Sequence, residues 1–143
     1  MKRFVEMSFN ASLANVTFAR ATVASFFIDD ELSLSLINEI KTIVSEAVTN
    51  CVVHGYNITN NMYSNDIIKM SLDLKDNLLT IKIEDKGIGI ENIEKAKEPL
   101  FSTKLTEERA GLGFTIMEIF SDNLEIISQP KFGTTIIARK YIS

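Results

Sequence analysis

The sequence has 143 residues, 45% hydrophobic and 24% charged, which fits one globular domain with a real core. Its net charge of −4 argues against direct binding to nucleic acid, which usually requires a basic face. No apolar run approaches the roughly 18 residues of a membrane span, and the single cysteine, Cys51, excludes an internal disulfide and a Cys-rich zinc site. Residues 1–11 lack the apolar core of a signal peptide, so we expect a cytoplasmic protein.

The first half of the sequence predicts one strand followed by two helices. Residues 2–9 alternate between apolar and polar side chains and predict an edge strand. Residues 11–30 carry apolar side chains at helical spacing, and residues 32–56 predict a second, longer helix. Ser33 or Ser35 is suited to cap the start of this second helix.

The second half predicts two hairpins, two helices and one long loop. Strands of period two that are joined by short turns predict the hairpins. The long loop mixes Pro, Ser, Thr and Gly without a clear period, which is typical of a functional lid. In chain order we predict an Asn-rich loop 57–65, strands 66–74 and 78–85, a short helix 91–98, the lid 99–113, a helix 113–122, and strands 123–129 and 133–142.

This order of elements predicts the architecture. Strands joined by tight turns must be antiparallel neighbours. The helices are amphipathic, so we expect them to cover one face of the sheet. The sequence therefore predicts an α+β fold, a two-layer sandwich with a mainly antiparallel sheet covered on one face by helices, in a single domain over residues 1–143.

The second predicted helix carries a carboxylate and an amide at the border of its apolar face. At about 100° per residue, apolar side chains centred on Val44 form a stripe, and Glu46 and Asn50 lie one turn apart beside it. Partial desolvation would make Glu46 a better base, and the amide oxygen of Asn50 suits Mg²⁺. On helix geometry alone, two solvated surface residues are the better interpretation.

The first of two glycine-rich loops reads "DKGIG" and places Asp85 at the end of a strand, before Gly87 and Gly89. A carboxylate there can accept a hydrogen bond from an exocyclic amino group such as that of adenine, and glycines let the backbone approach a flat ring. A lone G-x-G is more often a structural turn. Both interpretations stay open on these residues alone.

The second loop, "RAGLGF", places Gly111 and Gly113 at the start of a predicted helix. Backbone N–H groups at a helix N-terminus form an anion site, and Lys104 and Arg109 add two cations nearby, with the hydroxyl of Thr103. This set fits a triphosphate, although a capped helix with ordinary surface charges explains it equally well. The sequence contains no P-loop and no eukaryotic protein-kinase motifs.

Taken together and in order, these sequence motifs resemble those of one superfamily, the GHKL ATPases with their Bergerat ATP-binding fold. "EAVTN" resembles their N-box, "DKGIGI" their first glycine box and "GLGF" their second. "PLFSTK" is similar to the segment before their lid, and "GTT" to their final strand motif. Several ordered motifs are far more specific than any one of them, so the resemblance favours nucleotide binding over the turn and surface interpretations.

Longer segments, including "FARATVASFF", "EIKTIVSEAVTNCVVHGY" and "EPLFSTKLTEERAGLGFTIMEIFSDN", resemble the anti-sigma-F factors of endospore-forming bacteria across nearly the whole chain. The resemblance implies a homodimeric serine protein kinase that binds ATP with Mg²⁺. It also implies that the protein holds a sporulation sigma factor inactive and phosphorylates a serine on a small anti-anti-sigma protein.

The resemblance further implies roles for individual residues. Glu46 matches the general base and Asn50 the Mg²⁺ ligand. Arg20 matches an arginine linked to docking of the sigma and anti-anti-sigma partners, and its other interpretation is a surface arginine snorkelling from an amphipathic helix. The residues that match the nucleotide-binding set are Asp85, Gly87 and Gly89 at the adenine, Thr134 near it, and Thr103, Lys104, Arg109, Gly111 and Gly113 near the phosphates.

Other functions remain as alternatives. The chain resembles anti-sigma serine kinases of the stress response as well, and a detached ATP-binding domain of a histidine kinase would carry the same motifs. The histidine kinase would need a phosphoacceptor helix pair, for which we expect no room in 143 residues. A binding module without chemistry would not need the nucleotide motifs, and a hydrolase of the MutL type would need a further transducer domain.

Overall fold

A computed structural model describes residues 2–58, 64–98 and 112–143 of the chain. The predicted order of strands and helices is confirmed in these ranges. The elements are β1 (Lys2–Asn10), α1 (Leu13–Phe26), α2 (Leu34–Asn50), a π-helical turn (Cys51–Gly55), β2 (Ile67–Lys75), β3 (Leu78–Asp85), α3 (Ile93–Ala96), α4 (Gly113–Phe120), β4 (Asn123–Gln129) and β5 (Gly133–Tyr141).

The strands of the described residues form one sheet in the order β1-β2-β3-β5-β4. Every neighbouring pair is antiparallel, as the short connections predict. Side chains alternate between the two faces of the sheet, and the inner face is apolar and buried. Its largest fully buried side chains are Ile68, Met70, Leu72, Leu74, Leu79, Ile81, Ile83 and Ile136.

The helices cover this inner face, with α2 in contact with both α1 and α4. The helix α2 is central because a wide arc of it is apolar, and Ile40, Ile43, Val44 and Val48 are all fully buried. The side chain of Ser33 caps this helix by accepting a hydrogen bond from the Leu36 N–H at 3.1 Å. The fold is therefore the predicted α+β two-layer sandwich.

Three predicted helices end earlier than the sequence pattern indicates. The first ends at Phe26 rather than near residue 30, and α3 is a single turn, Ile93–Ala96, rather than 91–98. The helix α4 ends at Phe120 rather than at residue 122. The second predicted helix continues beyond Asn50, but Cys51–Gly55 is wound as a π-helical turn. Periodicity did not reveal this change because the apolar residues of "CVV" continue the buried stripe of α2.

An ion pair between a buried lysine and a partly exposed glutamate fixes the end of α4 against α2 and the sheet. Lys140, on the inner face of β5, is only 8% exposed. Its Nζ donates to the Phe120 carbonyl oxygen at 2.6 Å, at the end of α4, and lies 3.0 Å from Glu39 Oε1 on α2. One lysine thus satisfies an otherwise unpaired carbonyl at the helix C-terminus and joins three elements.

None of the helices in the described ranges has the length and apolar character that crossing a bilayer requires.

We expect Lys140→Met to lower the free energy of unfolding by about 1–3 kcal/mol, because the Phe120 carbonyl and the Glu39 carboxylate both lose their partner. Urea denaturation measures this change as a lower midpoint at an unchanged m value. The matched control is Lys82→Met on the exposed outer face of β3, for which we expect a change within about 0.5 kcal/mol. Equal effects of the two substitutions would show that this ion pair does not stabilise the fold.

Candidate functional site

Asp85 ends β3 as a buried carboxylate on the inner face of the sheet, with 4% of its surface exposed. Its Oδ1 accepts a hydrogen bond from the Gly87 N–H at 2.8 Å. Burial raises the pKa of this carboxyl above its ordinary value, while the Gly87 N–H, the Cys51 thiol and the Thr134 N–H oppose that rise. A carboxylate buried at a strand end can accept a hydrogen bond from a ligand with little competition from water.

Three polar side chains lie in a row across the inner face at this end of the sheet. Asp85 pairs with Thr134 of β5 in the strand register, and Thr134 pairs with Ser128 of β4. Thr134 is 8% exposed, and its hydroxyl lies 2.8 Å from the Ser128 hydroxyl. Ser128 is not among the residues predicted from the sequence. Counting residues outward from the "PKFG" turn would have paired it with Thr134.

The loop after Asp85 packs so closely on neighbouring backbone that it needs its first glycine. A Cβ at Gly87 would lie 2.0 Å from the Gly55 carbonyl oxygen, at the end of the π-helical turn. The Gly55 oxygen also accepts from the Ile88 N–H at 3.0 Å. On its other side the loop meets the β4–β5 turn, where the Lys131 N–H donates to the Ile88 oxygen at 2.6 Å and Gly89 adopts a φ of 77°.

Tyr56, a second residue not predicted from the sequence, braces the same loop. Its hydroxyl accepts from the Lys86 N–H at 2.6 Å and donates to the Ile67 carbonyl oxygen at 2.7 Å. Burial raises the pKa of this phenol, the Lys86 N–H opposes the rise, and the charges of Asp85 and Asp66 add to it. Tyr56 therefore stays protonated at neutral pH and can keep both hydrogen bonds.

Glu46 and Asn50 lie in the C-terminal half of α2, and Cys51, which begins the π-helical turn, adjoins Asp85. Glu46 is buried, at 3% exposure, so the interpretation of a solvated surface residue is wrong for it. Asn50, the last residue of α2, is half-buried. Burial and the charge of Asp85 raise the pKa of the Cys51 thiol well above its usual value, so a neutral thiol adjoins the carboxylate. Glu46 lies about 7 Å further back along the helix axis than Cys51.

The helix α4 carries Gly113, one of the predicted phosphate-site glycines, at its start. The helix is in contact with α2, and Phe120, at its end, lines a cleft with Leu34, Asn38 and Thr42 in the first half of α2. Among the described residues, no atom lies within 4 Å of a Cβ built at Gly113. No side chain of the described residues caps the backbone N–H groups at this helix start.

One predicted site residue, Arg20, lies on α1, and four others fall outside the described residues. Thr103, Lys104, Arg109 and Gly111 fall outside the described residues. Arg20 is half-buried on α1, where its Nη1 donates to Ser45 Oγ at 2.9 Å. This contact joins Arg20 of α1 to α2 at Ser45, the residue that precedes Glu46 in sequence.

The described residues contain no cluster of three or more His, Cys, Asp or Glu side chains that could hold a metal ion. A single amide oxygen such as that of Asn50 binds a metal ion only weakly on its own. Mg²⁺, however, usually keeps several waters and binds through one or two protein ligands together with phosphate oxygens. The residues present therefore fit a Mg²⁺ that arrives with a phosphorylated ligand.

The buried Asp85 gives the fold a pH dependence that can be measured without ligand. Because its pKa is raised on folding, the folded chain holds this proton more tightly than the unfolded chain, so ionisation opposes folding. We therefore expect wild type to lose stability relative to Asp85→Asn as the pH rises from about 4, near the unfolded pKa, to 8.

Thermal unfolding of both proteins across this range measures the difference. The control is Asp29→Asn, the same substitution at an exposed position. A relative stability of Asp85→Asn that falls toward pH 8 would contradict the assigned burial.

Comparison with known proteins places these features in a family. The model of the histidine kinase-like ATPase domain family matches residues 9–140. An anti-sigma F factor of Bacillus cereus is 44% identical over 143 residues, which is 100% of this chain and 95% of the relative. An anti-sigma F factor of Bacillus thuringiensis is 43% identical over 143 residues, with the same coverage of both chains.

A solved structure agrees with the fold. The crystal structure of the RsbU and RsbW domains of a Mycobacterium tuberculosis protein matches with a TM-score of 0.65 and 18% identity. The match covers 98% of this chain and 32% of that chain, so it supports the fold alone. On the family model and the full-length relatives, the chain belongs to the histidine kinase-like ATPase domain family and, within it, to the anti-sigma F factors.

Proposed function

We propose that this protein is an anti-sigma factor that inhibits a sporulation sigma factor and is also an ATP-dependent serine kinase. Its substrate is a serine of a small anti-anti-sigma protein. The relatives named anti-sigma F factors support the first part. The observation that carries the second is the burial of two carboxylates, Glu46 at 3% and Asp85 at 4% exposure, on elements that meet where the Cys51 thiol adjoins Asp85.

The adenine of ATP binds at the end of the sheet. Asp85 accepts a hydrogen bond from the exocyclic amino group, and Thr134, its partner in the strand register, lies beside it. The loop that contains Gly87 and Gly89 is held rigid by its contacts with Gly55 and the β4–β5 turn. A rigid loop presents the site in its binding geometry and so avoids a cost of ordering on binding.

The phosphates bind at the first turn of α4. Among the described residues, Gly113 leaves open space over backbone N–H groups at the positive end of the helix dipole. By family resemblance, Thr103, Lys104, Arg109 and Gly111 complete this end of the site. Lys104 and Arg109 would stabilise the charge on the phosphoryl group during transfer.

Transfer to serine needs a base, and Glu46 supplies it by accepting the proton of the attacking hydroxyl. Its burial keeps water from competing for the carboxylate. Asn50, one turn along the helix, would hold Mg²⁺, which would screen the phosphate charge. The two residues sit on the same helix, so their spacing is fixed before the nucleotide arrives.

The protein partners dock elsewhere on the surface. Arg20 is the docking arginine by resemblance, and its bond to Ser45 Oγ holds it over the α1–α2 surface. The protein forms a homodimer. Exposed apolar side chains on the outer face of the sheet support this part of the proposal, namely Phe4 at 56%, Ile67 at 50%, Ile127 at 53% and Tyr141 at 60% exposure.

We expect Glu46→Gln to bind ATP nearly as tightly as wild type and to transfer phosphate about 100- to 10,000-fold more slowly, because it lacks a base. Radiolabelled ATP, incubated with extract from sporulating cells, measures the initial rate of labelling of one small protein. Isothermal calorimetry with Mg²⁺ measures ATP affinity. Glu31→Gln, an exposed change of the same kind, should keep the wild-type rate.

Each contrary outcome of this experiment has a distinct meaning. Unchanged transfer in Glu46→Gln would remove Glu46 from the role of base. Label that is lost in acid would indicate phosphohistidine and favour the histidine-kinase alternative. No heat on titrating wild type with ATP and Mg²⁺ would overturn the nucleotide site itself.

We expect Gly113→Ala to weaken ATP binding about 3- to 30-fold while leaving the fold at least as stable as wild type. The added methyl meets no atom of the described residues, and alanine favours a helix by up to about 1 kcal/mol, so we expect a bound phosphate to collide with it. Adenosine binding should change little, since adenosine has no phosphates. Equal losses for ATP and adenosine, or unchanged binding of both, would contradict phosphate binding at this helix start.

A further inference from the structure

Ser128 uses its whole hydrogen-bonding capacity at the end of the sheet. Its Oγ accepts from the Ile90 N–H at 2.8 Å. The same Oγ lies 2.9 Å from the Gly133 carbonyl oxygen and 2.8 Å from Thr134 Oγ1. A hydroxyl has one proton to donate and two lone pairs that accept.

Only one arrangement of protons satisfies all three contacts. The Gly133 carbonyl can only accept, so it must receive the Ser128 proton. One lone pair of Ser128 is taken by the Ile90 N–H. The other then accepts the Thr134 proton, which fixes the direction of the hydrogen bond between the two hydroxyls.

This arrangement determines what Thr134 offers to a ligand. Its single proton points at Ser128, so its Oγ1 has only lone pairs left. Asp85, its neighbour in the strand register, is a carboxylate and accepts hydrogen bonds as well. Two adjacent buried side chains at the end of the sheet therefore accept hydrogen bonds and donate none.

We propose that Ser128, through Thr134, sets the selectivity of the site for a purine with an amino group at carbon 6 over one with a carbonyl oxygen there. The proposal rests on nucleotide binding beside Asp85. A 6-amino group donates hydrogen bonds and matches the two acceptors. A 6-oxo group would place an acceptor against acceptors, and a buried mismatch of this kind discriminates strongly.

Without Ser128 the Thr134 hydroxyl is free to rotate. It could then donate to a 6-oxo group and lessen the mismatch. Ser128 touches no ligand in this scheme, so it is a positioning residue. A purely structural role for Ser128, such as support of the loop through Ile90, would weaken the binding of all purine nucleotides equally and leave their ratio unchanged.

The test compares ATP with inosine triphosphate, which differs at carbon 6, by calorimetry with Mg²⁺ on the full chain. In Ser128→Ala we expect the ratio of the inosine triphosphate Kd to the ATP Kd to fall about three- to tenfold from its wild-type value. Ser128→Thr keeps a hydroxyl and should keep the wild-type ratio. Thr135→Val, on the opposite face of the same strand, is the matched control and should also keep it.

The outcomes separate this inference from the function on which it rests. If wild type binds neither nucleotide, the nucleotide site is wrong. If wild type binds ATP but Ser128→Ala keeps the wild-type ratio, the inference about Ser128 is overturned whether or not affinity falls. The same holds if Ser128→Thr loses selectivity to the same degree as Ser128→Ala. Circular dichroism on each variant confirms that it is folded before its ratio is interpreted.

Discussion

The organisation of the site depends on the burial of one carboxylate, Asp85. A charge at 4% exposure opposes folding, and the surrounding chain compensates by directing donors at it. The Gly87 N–H, the Cys51 thiol and the Thr134 N–H come from a loop, a helix end and a neighbouring strand. Each of these elements must stop or turn at the right residue for its donor to face the carboxylate.

The π-helical turn is one result of that constraint. Its last hydrogen bond runs from the Tyr56 N–H to the Cys51 carbonyl oxygen at 2.8 Å. The turn places the Gly55 backbone against Gly87, in the loop that follows Asp85. Wide turns of this type are rare and frequently occur at functional sites. Here the turn continues the helix that contains Glu46 and Asn50 and contacts the loop that follows Asp85.

The sequence predicted most of the fold, because period-two strands, amphipathic helices and short turns leave few arrangements. It also predicted Glu46 beside the apolar stripe of α2, but not how deeply it would be buried. Ile43 and Ala47 are buried too, so other elements pack over a wider arc of α2 than the stripe centred on Val44. Local patterns do not contain such tertiary contacts, and for the same reason Tyr56 was missed, since its partner Lys86 lies far away in sequence. Ser128 is close in sequence to its partner Thr134, but its bond to Ile90 joins distant segments.

The bracing by Tyr56 has a consequence for the connection between α2 and β2. Its hydroxyl bond to Ile67, the Ile58–Val52 bond and the Ala11–Asp66 bond close off both ends of that connection from the core. The entropy of closing a surface loop grows only slowly with its length. Natural variants could thus lengthen or shorten this connection freely, and an engineer could graft a fluorescent reporter there without disturbing the packing of the sandwich.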